Sequence, residues 1–207
     1  MEAPSPSVIE WGVATASRPG QRRSGDHHVV AEAPDGSVLL AALDGLGHGD
    51  EAADAAERAA AVLRAHPEAS VIALTRRCHQ ELQGTRGVVM TLAQISPRDE
   101  TLTWLGVGNV EGVLIRGRSE PRAPRESVLM RGGVVGYQLP PLSATVLALN
   151  RGDCLILATD GIRPEFSDDL PADGVPQRLA ERLLTQFRRE ADDALALVAR
   201  YRGARGA

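Results

Sequence analysis

The sequence lacks any segment that would insert the chain into a membrane. No apolar run approaches the ~20 residues that a membrane-spanning helix needs, and the N-terminal stretch MEAPSPSVIEWG has no apolar core of signal-peptide length. Positive charge is not in excess either, because the formal net charge is -4 at pH 7, and this argues against a broad nucleic-acid-binding face. We therefore expect a cytoplasmic protein that binds neither membranes nor nucleic acids.

Cysteine is scarce, since the 207 residues include only Cys78 and Cys154. The two lie far apart, in a predicted helix and a predicted strand, which favours buried reduced thiols over a disulfide or a zinc site. The chain is long enough to bury a sufficient core without a crosslink, and one domain is the default expectation. A phosphate-binding loop of the form GxxxxGK(S/T) is also absent, which excludes one common route to nucleotide binding.

Apolar, β-branched runs separated by turn signals such as PDG, PRDE and NRGD predict about ten strands. Most connections between them are short, which favours antiparallel sheets. Helical periodicity predicts three helices, over 50–65, 70–83 and 175–189. Strands and helices do not alternate regularly, so the pattern indicates an α+β protein with two packed sheets covered by helices. The predicted strands are WGVAT, HHVVAEA, SVLLAALD, GVVMTLAQI, TLTWLGVG, GVLIRG, SVLMRG, SATVLAL, DCLILATD and ALALVARY.

Two buried strands each end in an aspartate that is followed directly by glycine. Asp44 follows the run SVLLAAL and Asp160 follows CLILAT, so rigid elements would aim both carboxylates. Asp26 opens another predicted strand, and Asp192 and Asp193 precede the last one. Any single Asp-Gly pair could be an ordinary turn. If the carboxylates converge, however, their repulsion at pH 7 requires cations between them, and oxygen-only ligands favour Mg²⁺ or Mn²⁺ over zinc.

The stretch LDGLGHGD at 43–50 places three glycines within six residues. Glycine at this density is expected where the backbone bends sharply or comes very close to another group. We therefore expect the turn that follows Asp44 to belong to the functional site.

Four short motifs together resemble those of the metal-dependent serine/threonine protein phosphatases of type 2C, the PPM family. The motifs are Ser24-Gly25-Asp26, Asp44-Gly45-Leu46-Gly47-His48-Gly49, Thr159-Asp160-Gly161 and Asp192-Asp193-Ala194. The segments RGVVMTLAQI, GVGNVEGVLIR and RGGVVGYQLP are similar to the SpoIIE-type branch, and in particular to its stressosome phosphatases. The resemblance covers about residues 8–201, and the whole chain, 1–207, is interpreted as a single phosphatase domain of this type.

The resemblance implies a four-layer α-β-β-α sandwich with two Mn²⁺ or Mg²⁺ ions at one edge of its two mainly antiparallel sheets. By motif position, Asp44 would bridge both ions, and Asp160 and Asp192 would hold the first ion. The second ion would be held by Asp26 and by the backbone carbonyl of Gly45. Ions of this kind supply a water of lowered pKa as the nucleophile for phosphate ester hydrolysis.

Two positions depart from the family pattern, and one metal ligand has an alternative. Asp193 becomes the alternative to Asp192 if the register of the last motif shifts by one. His48 could donate a proton to the leaving oxygen, although eukaryotic relatives carry their histidine directly after the Asp-Gly pair, where this chain has Leu46. Ala194 occupies the place of a hydroxyl residue, so one supporting hydrogen bond of the family would be missing.

Several other side chains are expected to have structural roles. Arg22 and Arg23 match the phosphate-binding arginine of eukaryotic relatives only approximately, and a solvated basic turn is the favoured interpretation for both. Trp11 and Trp104 lie in apolar strands and are expected in the core. None of these four residues is therefore part of the predicted site.

The function that the resemblance implies is dephosphorylation of phosphoserine or phosphothreonine in a regulatory protein. The implied substrates are phosphorylated STAS-domain proteins of a stressosome or a related partner-switching pathway. Two alternatives stay open. One is a catalytically silent phosphatase-like module that only binds a partner, which the presence of every expected metal carboxylate disfavours. The other is a metal-dependent hydrolase of small phosphorylated molecules.

Overall fold

A computed structural model describes residues 8–117, 124–169 and 174–203 of the chain. These residues form eleven strands and four helices. The strands are β1 (Ile9–Ala16), β2 (Asp26–Glu32), β3 (Val38–Gly45), β4 (Val88–Ser96), β5 (Thr101–Val107), β6 (Glu111–Ile115), β7 (Arg125–Ser127), β8 (Met130–Arg131), β9 (Thr145–Ala148), β10 (Cys154–Ala158) and β11 (Ala194–Tyr201). The helices are α1 (Asp50–Ala65), α2 (Val71–Glu81), α3 (Phe166–Asp169) and α4 (Pro176–Phe187).

The strands form two sheets. The first sheet has the order β1-β11-β10-β6-β7, and all of its neighbours are antiparallel. The second sheet has the order β2-β3-β4-β5-β8, and β9 also pairs with β5. Only the short β5–β8 pairing among these strands is parallel. The predicted antiparallel character is therefore confirmed.

The two sheets pack face to face and share a central core. Leu40 and Trp104 contribute to this core from the second sheet, and Leu157 and Leu197 from the first. Helices α1 and α2 bury their apolar sides against the other face of the second sheet, while α4 covers the other face of the first sheet. The order of layers is helix, sheet, sheet, helix, so the predicted four-layer sandwich is confirmed.

The helices over the second sheet follow from local sequence features. The side of α1 that faces the sheet is built from alanines such as Ala52, Ala56 and Ala59, which are fully buried, and small side chains let the helix backbone approach the strands closely. Helix α2 begins after Ser70, whose hydroxyl accepts the N–H of Ala73 at 3.4 Å. This is the N-cap interaction that serine favours.

The run SVLMRG does not form the single strand that its apolar residues predict. It is divided between β7 in the first sheet and β8 in the second, and the chain crosses from one sheet to the other between them. Val128 at the crossing is 7% exposed and packs in the central core, whereas the next residue, Leu129, is 64% exposed. The short helix α3 was not predicted either.

The two tryptophans have different environments. Trp104 is 2% exposed in the central core, as predicted. The expectation for Trp11 is wrong, because its side chain is 43% exposed on β1, which forms an edge of the first sheet. The Trp11 ring lies 6.0 Å from the ring of His28 on β2, the edge strand of the second sheet. Trp11 therefore lies outside the core, although the run around it is apolar, because its strand is at the edge of the sheet.

Both cysteines are free and buried, as the sequence predicts. Burial raises the pKa of the Cys78 thiol to about 12 and that of Cys154 to about 11, so neither favours the reactive thiolate at neutral pH. Within the described ranges, no helix is both long and apolar enough to cross a membrane.

Candidate metal centre

Asp26 and Asp44 lie opposite each other on neighbouring strands of the second sheet. The antiparallel register of β2 and β3 pairs the backbone of Asp26 with that of Asp44, and residues directly opposite in such a pair share one face of the sheet. Asp26 is buried, with 6% of its surface exposed, and Asp44 is partly buried. Two carboxylates are therefore held at the same end of this sheet.

The first sheet contributes further aspartates from the ends of two central strands. Ala158 of β10 pairs with Ala196 of β11, so the chain that leaves β10 runs beside the chain that enters β11. Asp160 lies two residues beyond β10, and Asp192 and Asp193 lie directly before β11. All three aspartates therefore lie at the same end of the first sheet.

Thr159 connects the two groups of carboxylates. Its hydroxyl Oγ1 donates a hydrogen bond to Oδ2 of Asp26 at 2.6 Å and accepts one from the N–H of Leu195 at 2.9 Å. Asp26 belongs to the second sheet and Leu195 to the first, and Thr159 comes directly after β10 of the first sheet. This buried bond therefore brings the aspartate-bearing ends of both sheets together.

The carboxylates are close enough to raise one another's pKa. Burial raises the pKa of Asp44 to about 7, and the negative charges of the three first-sheet aspartates contribute to this rise. Burial also raises the pKa of Asp26 well above its usual value, with Asp44 as the largest charged contributor. Partial desolvation, followed by the charge of Asp192, raises the pKa of Asp160. Aspartates from both sheets therefore influence one another at this edge, which carries negative charge that a bound cation would offset.

The adjacent residues Asp192 and Asp193 have different surroundings. Asp193 is buried, and its two carboxylate oxygens accept the backbone N–H groups of Arg18 and Gly25, both at 2.7 Å. Asp192 is more exposed, and its Oδ1 accepts the N–H of Asp193 at 3.0 Å. Asp193 thus fixes the loop that leads into β2 and Asp26. The carboxylate of Asp192 accepts fewer hydrogen bonds than that of Asp193.

The glycines that follow the two central aspartates are required by packing. A Cβ atom on Gly45 would lie 2.1 Å from the carbonyl oxygen of Ala52 in α1, and one on Gly161 would lie 1.8 Å from the carbonyl oxygen of Asp193. In the turn beyond Gly45, Gly47 and Gly49 have φ angles of 94° and 79°, a region that other residues rarely adopt. Both expectations for this glycine-rich stretch, close approach and a sharp bend, are confirmed.

The other candidate residues near this edge differ in their exposure and in their ion pairs. His48 is exposed in the turn between β3 and α1. Arg23 forms ion pairs with Asp54 at 2.6 Å and Glu57 at 2.9 Å on α1, and Arg22 is exposed. Arg23 is therefore committed to the acidic side of α1, which agrees with its structural interpretation.

Two residues that support the carboxylates were not assigned a role from the sequence. Thr159 holds Asp26, and Asn109 donates from Nδ2 to Oδ2 of Asp160 at 2.7 Å. The sequence signal for Thr159 is its position directly before Asp160-Gly161. Asn109 follows Gly108, which has a φ of 94° and comes directly after β5.

The donors at this edge fit a hard divalent cation. They are carboxylate oxygens supplemented by backbone carbonyls, the ligand type that Mg²⁺ and Mn²⁺ prefer. As the side chains are oriented, no three His, Cys, Asp or Glu residues of the described chain are grouped closely enough to hold a metal ion. Asp26, Asp160 and Asp193 accept hydrogen bonds from Thr159, Asn109 and the N–H of Gly25, respectively.

Solved structures share this architecture. A structure described as part of the bacterial stressosome, a modular system adapted to control secondary messenger signalling, matches with a TM-score of 0.82 and 29% identity, over 93% of this chain and 99% of that chain. RsbX in complex with magnesium matches with a TM-score of 0.81 and 20% identity, over 93% and 94% of the two chains. The PP2C phosphatase domain of SpoIIE from Bacillus subtilis matches with a TM-score of 0.74 and 21% identity, over 93% of this chain and 62% of that chain.

These likenesses define the class of the fold as that of the PP2C-type phosphatase domains. Within this class, the chain belongs to the stage II sporulation protein E (SpoIIE) family, whose profile matches residues 34–202. The phosphoserine phosphatase RsbX of Bacillus subtilis is 23% identical over 154 residues, which are 74% of this chain and 75% of RsbX. The family resemblance predicted from the motifs is confirmed.

Proposed function

We propose that this protein is a metal-dependent phosphoserine/phosphothreonine protein phosphatase that acts on a phosphorylated regulatory protein of the STAS-domain type. The observation that carries this proposal is the convergence of aspartates from both sheets on one edge, where their pKa values are raised by burial and mutual repulsion. A relative named phosphoserine phosphatase and a neighbour from the stressosome support the choice of substrate.

The proposed site holds two Mn²⁺ or Mg²⁺ ions. We assign Asp44 to both ions, Asp160 and Asp192 to the first, and Asp26 with the carbonyl of Gly45 to the second. Asp192 is preferred over Asp193 because both oxygens of Asp193 already accept backbone N–H groups. When bound, such ions lower the pKa of a water toward neutrality and offset negative charge on the phosphoryl oxygens.

The protein's own groups hold and complete this site. Thr159 orients Asp26, Asn109 orients Asp160, and Asp193 fixes the loop that precedes β2. His48 is the proposed proton donor to the leaving serine or threonine oxygen, since it follows Asp44 by four residues on the exposed turn. The single-domain organisation and the cytoplasmic location expected from the sequence are part of the proposal.

The proposal is tested with purified protein, p-nitrophenyl phosphate and Mn²⁺. We expect turnover that requires the metal and that falls by at least about 100-fold in Asp44→Asn, because a ligand shared by two ions is lost. Asp99→Asn is the matched control. Asp99 is an exposed carboxylate in the turn between β4 and β5, at the opposite end of the second sheet, so its replacement should leave turnover unchanged.

Phosphorylated STAS domains and free nucleotides, assayed side by side, test the substrate class. Release of phosphate from the STAS domains supports the proposal. Turnover of nucleotides alone would identify a hydrolase of small molecules instead. Binding of STAS domains without turnover of any phosphate ester would identify a silent binding module.

A further inference from the structure

Arg189 lies beside the aspartate edge, and its backbone is held in place there. Residues 187–189 run antiparallel to residues 161–163: Ile162 bridges Arg188, and the N–H of Arg163 donates to the carbonyl of Phe187 at 2.8 Å. The N–H of Arg189 donates to the carbonyl of Gly161 at 2.7 Å. The backbone of Arg189 is therefore fixed next to the Asp160-Gly161 turn.

The side chain of Arg189 is exposed and acts on Asp160. Desolvation and the charge of Asp192 raise the pKa of Asp160, while the hydrogen bond from Asn109 and, to a smaller extent, the positive charge of Arg189 lower it. Within the described ranges, no residue forms a hydrogen bond or an ion pair with the Arg189 guanidinium. A charged group near the cluster is thus available to a ligand.

Four other arginines near this edge have side-chain partners within the protein. Arg188 donates from Nη2 to the carbonyl of Ser17 at 2.7 Å, and Arg163 donates from Nη2 to the carbonyl of Gln186 at 2.6 Å. On the other side of the edge, Arg86 pairs with Glu51, and Arg23 pairs with acids of α1. These guanidinium groups stabilise contacts within the protein, and Arg189 differs from them in having no such contact.

We propose that Arg189 binds the phosphoryl group of the substrate at the aspartate edge. A guanidinium presents parallel N–H donors that match two oxygens of a phosphate, and it stays charged at every physiological pH. The proposal rests on the proposed function, because it takes the aspartate edge as the place where a phosphate ester is bound. From the sequence, Arg22 and Arg23 were the approximate matches to the phosphate-binding arginine of eukaryotic relatives. The proposal places the phosphate-binding arginine in the segment between α4 and β11 instead.

The alternative is a structural role, in which Arg189 holds the carboxylate of Asp160 in position. The two roles predict opposite effects on metal binding. If Arg189 serves the phosphate, its removal takes a positive charge away from the cation site, so divalent metal should bind equally well or more tightly. If Arg189 serves mainly to position Asp160, its removal should weaken metal binding.

The experiment compares Arg189→Ala, Arg189→Lys and Arg22→Ala, with Arg182→Ala as the control. Arg182 is exposed on α4 and contacts Gln186. At saturating Mn²⁺ we expect Arg189→Ala to raise both the KM for a phosphate ester and the inhibition constant for inorganic phosphate by about 10- to 100-fold, the usual effect of losing a charge-assisted hydrogen bond. Arg189→Lys should show a smaller rise, and kcat should change little.

Calorimetric titration of the metal-free proteins with Mg²⁺ is the second readout, and unchanged or tighter binding in Arg189→Ala supports the proposal. The proposal is overturned if the KM and phosphate effects appear in Arg22→Ala and not in Arg189→Ala, or if Arg189→Ala weakens Mg²⁺ binding. Absence of turnover in the wild-type protein would instead contradict the proposed function. The binding of inorganic phosphate to the Mg²⁺-loaded wild type and Arg189→Ala, measured by thermal shift, then tests Arg189 on its own.

Discussion

The position of Asp26 depends on a single hydroxyl group. Thr159 donates to Asp26 across the junction of the two sheets while it accepts the N–H of Leu195. Both side chains are buried, and a buried carboxylate without a donor is costly. Thr159 is therefore a positioning residue that acts through Asp26.

Replacement of Thr159 by valine should destabilise the protein by about 1–3 kcal/mol, because it leaves the Asp26 carboxylate and the Leu195 N–H without their partner. Affinity for Mg²⁺ should also fall, by about 10-fold or more, since outer hydrogen bonds hold ligands in place. Urea unfolding and Mg²⁺ titration measure the two effects. Thr159→Ser retains the hydroxyl and is the matched control, so equal behaviour of the valine and serine variants would contradict this role for Thr159.

The sequence predicted the aspartates but not the residues that hold them. Asp44 and Asp160 could be predicted because each follows a buried apolar strand and precedes glycine, a pattern visible within a few residues of chain. The partners of Asp26 and Asp160 are Thr159 and Asn109, which are distant in sequence. Such pairs depend on how two sheets pack together, and neither spacing nor composition encodes that packing directly.

Strands and helices meet at this edge with almost no space between their backbones. Gly45 lies against the first turn of α1, and Gly161 lies against the segment that enters β11. Neither glycine has a positive φ, so backbone conformation does not explain them. Their absence of a side chain is what lets α1 and β11 approach the aspartate-bearing strands.

Gly161→Ala should destabilise the protein by about 3 kcal/mol or more, because the new methyl group would overlap the carbonyl of Asp193 and overpacking forces backbone shifts. The shift would also displace the Asp193 carboxylate from the loop at Gly25. Gly132→Ala is the control, because a Cβ there meets nothing within 4 Å, and its effect should stay within about 0.5 kcal/mol. Thermal unfolding of the two variants makes the comparison, and equal stability would argue against the close contact.

The succession of elements was largely predictable, and its exceptions have local physical reasons. Strand periodicity and the alanine stripe of α1 gave bounds close to those observed, since both patterns reflect burial on one side. The run SVLMRG was misread because Val128 is buried between the sheets while its neighbours pair with different sheets. Trp11 was misread because an edge strand leaves apolar side chains exposed.

Burial of Asp44, together with repulsion from the other aspartates, affects the stability of the whole protein when metal is absent. The pKa of Asp44 is raised from 3.8 to about 7 in the folded state. Between these two values the folded state binds a proton that the unfolded state has lost, so stability must fall as pH rises. The contribution is fully present below about pH 4 and is lost as pH passes through about 7.

With chelator present, we expect the free energy of unfolding of the wild type to fall relative to Asp44→Asn as pH rises from 5 to 8, by up to about 3 kcal/mol, because about two pH units lie between 5 and the raised pKa and each is worth about 1.4 kcal/mol. Asparagine cannot ionise, so this comparison cancels the titration of groups that both proteins share. Urea unfolding at several pH values provides the measurement. Parallel pH profiles for the two proteins would contradict the raised pKa of Asp44.

Aspartates from both halves of the sandwich meet at one end, where Thr159 and Asp26 already join residues 133 positions apart in sequence. Ions bound among them would act as a noncovalent crosslink that closes a long loop of the chain and thereby limits the freedom of the unfolded state. Since Cys78 and Cys154 form no disulfide, the supply of divalent cations would then control the resistance of this end of the molecule to proteolysis as well as its chemistry.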